Sequence, residues 1–231
     1  MAVFWPSVLL VVLVAALFVA ERWYGDAINA LEEGLIAFLL AAITIISFTQ
    51  VVARYGFNTG WGGALELTRI LFAWLILFGM SYGVKHGMHL GVDALIRTFP
   101  KPLFRAAAIF GALCCLLYAM MLLHAGWLAF FGGKDVTNYR QSGALGYWTL
   151  MFNTGIGLDD LRYPVWMQET FGLQERVQRW VAYLMLPIGL ALLAFRSVQA
   201  LVEIWRGDRE LIIAGHEAED LVAENKDILR D

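Results

Sequence analysis

The sequence predicts an all-α integral membrane protein. Three observations carry this. Of 231 residues, 60% are hydrophobic and 16% charged, with a mean hydropathy of +0.64, against roughly 45–50% apolar and 25% charged in soluble domains. The apolar residues are grouped into charge-free runs near the ~20 residues that a ~30 Å hydrocarbon core asks of a helix. Lysine and arginine gather in two stretches, as they do on the cytoplasmic side of membrane proteins.

Five apolar segments follow one another: 4–20, 34–53, 70–84, 106–133 and 180–195. The first lacks the positive start and small-residue cleavage site of a signal peptide. It reads as a retained helix, either spanning or lying at the interface. The third is short and spans only if it extends back through Leu65. The fourth is long enough to span with tilt. The fifth ends at Arg196, and "SVQALVEIW" carries its helix out of the membrane. The loop 85–105 holds Lys85, Arg97, Lys101 and Arg105 with Asp93 as its only acid, and Arg196, Arg206 and Arg209 close the last segment. Both regions are expected in the cytoplasm, with an even number of crossings between them. The loops 54–69 and 134–179 then face the periplasm. The longer one carries "GALGYWTLMF" and "LRYPVWM", which predict short interfacial helices, broken at Pro164, in an aromatic belt that includes Trp148, Trp166 and Trp180. The tail 208–231 has eight acids and three bases and reads as solvated.

Chemistry-bearing residues are few. His86, His89 and Asp93 share a helical spacing, but a zinc site asks for three or four protein ligands, and Gly87 and Gly91 interrupt the helix. No metal or other cofactor is expected. Only His124 is placed deep in a span, without the facing histidine that a haem would need. No Ser/His/Asp set or glycine-rich phosphate loop suggests an enzyme, and no basic stripe with aromatics suggests nucleic acid. Cys114 and Cys115 read as lipid-phase thiols. Gly79, Gly83, Gly87 and Gly91 recur every four residues in "GMSYGVKHGMHLG", a spacing that lets helices approach closely in lipid. Leu77, half a turn from Gly79, is expected to face lipid. Arg54, Glu66 and Arg69 lie where helices meet the interface. They snorkel there, or they pair and hold the short arm "NTGWGGALELTR" along the surface.

The stretch "QVVARYGFNTGWGGALELTRILFAWLILFGMSYGVKHGMHLGVDAL" resembles the DctQ-like small membrane subunit of tripartite ATP-independent periplasmic (TRAP) transporters. Arg54 with Tyr55 matches the end of that family's first core helix. Glu66 matches the opening of the next, Trp74 and Gly79 points along it, and His89 with Asp93 the following loop. The likeness resumes at "WVAYLMLPIGLALLAFR" and covers about residues 32–206, weakly over 133–179. It implies four core transmembrane helices plus an interfacial arm helix, here with an extra N-terminal apolar helix. It implies a bacterial inner-membrane location and, as partners, membrane lipids, a large membrane subunit that carries substrate and sodium in an elevator movement, and a periplasmic substrate-binding protein. The small subunit would brace the large one without catalysing anything, and Arg54, Glu66, Arg69, Trp74, Gly79, Gly83, His89 and Asp93 would act as interface or structural residues. The long periplasmic loop leans towards transport of four-carbon dicarboxylates. The expected division is an apolar helix over 1–22, a membrane domain over 23–206 and an acidic tail over 207–231. Four spans with the N-terminus inside, or five with it outside, both remain open. So do two other classes, a haem-bearing redox subunit and a free-standing scaffold.

In whole cells, cysteines placed at Thr98 and Gly215 should resist an impermeant thiol reagent while one at Ser142 reacts. Labelling of Thr98 from outside would invert this topology.

Overall fold

The structure is a computed structural model that describes residues 5–86, 100–125 and 143–207. Its first helix, α1 (Trp5–Gly56), joins the N-terminal apolar segment to the first span, with one non-helical residue at Tyr24 (φ −131°, ψ 33°). A tight turn follows, with Asn58 left-handed (φ 53°) and the Gln50 side chain accepting the Trp61 N–H. Helix α2 (Ala64–His86) is 23 residues long, about 34 Å. The third segment therefore does span by extending back past Leu65. The arm expected over "NTGWGGALELTR" is not a separate element, because α2 is already helical at Ala64.

Helix α3 (Lys101–Leu123) begins behind Pro100 and carries Pro102 in its first turn, where backbone donors have no intrahelical acceptor and proline costs nothing. It is shorter than expected. His124 is an extended C-cap residue whose N–H bonds Met120 O, so this histidine sits at a helix end and not deep in a span. Beyond residue 142 come α4 (Gly143–Thr154), strand β1 (Gly157–Arg162), α5 (Val165–Phe171), strand β2 (Arg176–Gln178), α6 (Arg179–Tyr183) and α7 (Met185–Arg206). The short helices of the long loop are present, and the antiparallel β1–β2 ribbon is an element the sequence reading did not contain. The break between α6 and α7 falls at Leu184. Pro187 explains it, since its ring lacks the N–H and clashes with the carbonyl four residues back, at Tyr183.

Four stretches are long and apolar enough to cross a bilayer: Val19–Gly56, Ala64–His86, Pro102–Leu123 and Arg179–Arg206. The last is central. In its most apolar window 56% of residues are buried inside the chain, against 6% for α1. Helix α7 runs antiparallel to α3, with Ala108 near Ile204 and Leu123 near Leu190. It runs parallel to α2, with the Trp74 indole donating to Ala182 O at 2.9 Å. Val84, Ala119, Leu193, Ala194 and Ala200 form the core where α2, α3 and α7 meet. Small side chains dominate because lipid offers no hydrophobic drive between helices, and backbones must come close for dispersion and polar contacts to hold them. The basic ends of α2, α3 and α7 lie together: Arg105 of α3 donates to Trp205 O of α7, and Lys85 of α2 and Arg196 of α7 reach a common carboxylate, Glu32.

A close helix contact lies at Gly189 of α7, outside the glycine series of α2. A Cβ added there would sit 2.7 Å from the Leu77 Cβ. Leu77 therefore faces α7, and the lipid-facing position expected for it is wrong. Gly79, which the series singles out, has nothing within 4 Å of an added Cβ, whereas Gly83 is buried. Gly189→Ala should destabilise the chain by about 1–3 kcal/mol through overpacking. Adding Leu77→Gly, which removes the Cβ that the new methyl meets, should make Gly189→Ala cost less than it does in the native background, read as thermal unfolding in detergent. A fully tolerated Gly189→Ala would show that the seam is loose.

Candidate functional site

Two polar constellations occupy opposite ends of the helix bundle. At the end with the turn and the ribbon, Glu66 in the first turn of α2 accepts three consecutive backbone N–H groups, from Asp159 (3.2 Å), Asp160 (2.9 Å) and Leu161 (2.7 Å) of β1. Successive N–H groups that converge in this way make a concave anion site, and hydrogen bonds to a charged acceptor are the stronger kind. Gly63, one residue before α2, makes the approach possible: a Cβ there would lie 2.9 Å from Leu161 Cδ1 and 3.0 Å from its Cα. Beneath the carboxylate, Leu158, Leu161 and Val177 bury themselves against Leu67, Ile70 and Val181. The ribbon is thus clipped to α2 by a carboxylate and sealed by an apolar patch. Trp148 extends the same end, donating to Trp180 O at 3.2 Å.

At the basic end, four charges gather between helices. Arg196 of α7, 2% exposed, donates through Nη1 to Glu21 and through Nη2 to Glu32, each at 2.5 Å. Lys85 of α2 reaches Glu32 at 2.5 Å and Glu21 at 3.7 Å, and also bonds Asn29. Gln199 accepts from Arg196 and donates to the second oxygen of Glu21. Two acids face two bases, so the group is electrically neutral, as charges at the edge of hydrocarbon need to be. Removing one member of such a buried set typically costs about 3–5 kcal/mol, because its partner is left uncompensated.

Neither constellation is built for bond-making chemistry: each base is spent on an acid and each acid on donors. Among the described residues, no three His, Cys, Asp or Glu side chains are close enough together to hold a metal. His86 lies against Tyr82, with ring centroids 4.1 Å apart and the planes tilted by 34°. His89 and Asp93 lie outside the described residues.

A family profile for the DctQ component of tripartite ATP-independent periplasmic transporters matches residues 43–207. The C4-dicarboxylate TRAP transporter small permease protein DctQ of Vibrio cholerae is 34% identical over 87% of this chain and 83% of its own length. Its namesake in Pseudomonas aeruginosa is 32% identical over 82% of this chain and 90% of its own length. The sialic acid TRAP transporter permease protein SiaT of Haemophilus influenzae is 28% identical over 43% of this chain, which covers 16% of SiaT. The chain belongs to the DctQ family. It is a TRAP small permease subunit, a multi-pass protein of the bacterial inner membrane.

The positions singled out by resemblance to that family are spread through this small permease. Arg54, in the last turn of α1, is exposed, and so is Arg69 on α2. Glu66 pairs with neither. Three aligned N–H groups held by a ribbon satisfy the carboxylate, so of the two readings offered for these charges the exposed Arg54 and Arg69 fit snorkelling and not an ion pair with Glu66. Trp74 ties α2 to α6 through Ala182. The four-charge cluster was missed, although its signal was present: two acids and two bases, Glu21, Glu32, Lys85 and Arg196, sit at the same end of three predicted spans, where unlike charges must pair.

Glu66→Ala should free the amides of Asp159, Asp160 and Leu161. With about 1.5–3 kcal/mol for a hydrogen bond to a charged group, their hydrogen exchange should quicken roughly 10- to 150-fold. Unchanged exchange at all three would mean that the ribbon holds without the carboxylate.

Proposed function

We propose that this small permease is a static brace for a larger, sodium-coupled TRAP membrane subunit in the uptake of a C4-dicarboxylate delivered by a periplasmic binding protein. The observation that carries the reading is the stripe of unburied apolar surface on α2 that ends in an uncovered glycine, beside further unburied apolar surface on α1 and α3. On α1, Phe38, Ile45, Phe48 and Val52 are exposed along one face. On α2, Leu65, Phe72 and Ile76 form an exposed stripe with Arg69, and Gly79 continues it with open space above its backbone. A helical stripe of large apolar residues ending in an uncovered glycine suits another helix. The SiaT likeness supports a larger companion, since a stretch resembling this chain makes up a small part of that permease. The names of the two DctQ relatives support the substrate class. The Lys/Arg distribution assigns the basic end to the cytoplasm, so that the Glu66-clipped ribbon and α5, with exposed Val165, Trp166 and Phe171, face the periplasm within reach of a binding protein. In this reading Arg54, Arg69, Gly79 and Gly83 serve the subunit interface or the packing beneath it, His89 and Asp93 the cytoplasmic turn, and no residue is catalytic.

A tagged chain expressed in its native host should co-purify a many-helix membrane protein. Reconstituted with the binding protein and an inward sodium gradient, the complex should take up succinate. Gly79→Leu should leave the thermal stability of the isolated chain unchanged and cut recovery of the large subunit roughly 5- to 150-fold, the effect of about 1–3 kcal/mol of overpacking. Full recovery with Gly79→Leu would remove α2 from the interface, and recovery of no large partner from the native chain would end the brace reading.

A further inference from the structure

We propose that Glu21, Glu32, Lys85 and Arg196 form a conformational lock that sets the angle of the α1 elbow at Tyr24. The two carboxylates lie on opposite sides of the non-helical residue. Both converge on one guanidinium, Glu21 on Nη1 and Glu32 on Nη2 of Arg196. Lys85 touches the same two carboxylates from a second helix. A group gripped from both sides of a bend holds the bend, because opening or closing it pulls one carboxylate away. Two such groups on different helices, α7 and α2, hold both the angle and the direction of the arm.

The backbone at the elbow has little else to hold it. Trp23 and Tyr24 are 76% and 66% exposed, and an added Cβ at Gly25 would meet nothing within 4 Å. No residue of the arm before Tyr24 whose side chain is described is buried. Glycine beside a non-helical residue is a common place for a helix to bend, and among the described side chains of the arm none is buried against a neighbour that would restrain it. The polar group does so at zero net charge and with side-chain exposures of only 2–16%, where the pairs are weakly screened. There is also a consequence for assembly. Arg196 stands 175 residues after Glu21 and 164 after Glu32, so the elbow closes only when α7 has entered the bundle beside α2. Until then Lys85 is the one basic member of the group within reach of the two acids, and they lack a partner on α7.

The test is a distance measurement in the full-length chain. Cys114 and Cys115 are replaced by Ala, and spin labels are placed at Val12 on the arm and Leu103 on α3. The native charges should give one narrow distance distribution. Arg196→Met and Glu21→Gln should broaden and shift it, raising the ratio of open to closed arm roughly tenfold or more. Lys85→Gln should do so to a lesser degree. Arg22→Gln, an exposed charge beside Glu21, should leave it unchanged. If Arg196→Met fails to fold, Glu21→Gln decides, since it leaves Arg196 its bonds to Glu32 and Gln199 and puts a hydrogen-bonding amide in place of the carboxylate. A native-like narrow distribution in every foldable variant overturns the lock and assigns the elbow angle to the backbone alone.

Discussion

In a bilayer, burying a leucine between helices brings no gain over leaving it in lipid, so helices must be held by close dispersion contact and by polar groups that find no partner elsewhere. Everything in this fold follows from where the chain concentrates those two forces. They meet on α7. Its inner face is built from Gly189, Ala191, Ala194, Ser197 and Ala200, small enough to bring two antiparallel and parallel neighbours close. Ser197 satisfies itself on Leu193 O at 2.8 Å, which lets a hydroxyl sit in the core without asking for a partner. Arg196, one residue earlier, is placed where the same helix reaches the membrane boundary, and it draws α1 in by charge.

The two polar constellations do different work with similar means. Glu66 uses one charge and three neutral donors, and it ties a helix to a ribbon that would otherwise be a marginal two-stranded piece. The basic end uses four charges and ties three helices. A carboxylate against backbone N–H groups is insensitive to side-chain rotamers on the ribbon, and so it positions a strand register. Ion pairs between long side chains depend on where the helices carrying them lie, and so they position helices. Gly63 lets the ribbon come near enough to Glu66 to be clipped, and Gly189 lets α7 approach the middle of α2 at Leu77.

Much of the fold was legible in the sequence because bilayer thickness is a ruler. Runs 34–53, 70–84 and 180–195 announced spans, and the shortness of the third required its extension through Leu65, which α2 makes. What ran past the ruler was misjudged: α3 stops at Leu123, although apolar residues continue, because an extended His124 ends it and apolarity alone does not keep a backbone helical. The β1–β2 ribbon was hidden because "GLDDLR" lacks the alternation that marks a half-buried strand, and the carboxylate that anchors it, Glu66, stands 93 to 95 residues earlier in the chain. Of the candidate residues, Glu66 was marked for the right reason, a charge near hydrocarbon, but neither of the readings offered for it, snorkelling or an ion pair, contained its partners, the three N–H groups of β1. Lys85 and Arg196 were read only for their sign, as markers of the cytoplasmic side. That rule treats cations as solvated, and it hides the case in which two of them are neutralised by acids from another helix.

Helix α2 explains why the ends matter more than the middle. Glu66 and Lys85 are nineteen residues apart (85 − 66), about 28 Å along a helix, close to the ~30 Å of hydrocarbon. Each tie therefore lies at a boundary where water and headgroups still tolerate polar atoms, and the segment between them stays free of charge except for Arg69 near its start. A rod pinned at both ends and touching α7 through Leu77 and Trp74 cannot slide, tilt or turn about its axis without breaking one of the ties. Its opposite face, Leu65, Phe72, Ile76 and Gly79, is then held at a fixed height and rotation while spending none of its own surface on the fold. For a subunit whose proposed work is to stay still beside one that moves, that separation is the economical arrangement: the polar groups and small residues look inward and hold, and the large apolar residues look outward and are available.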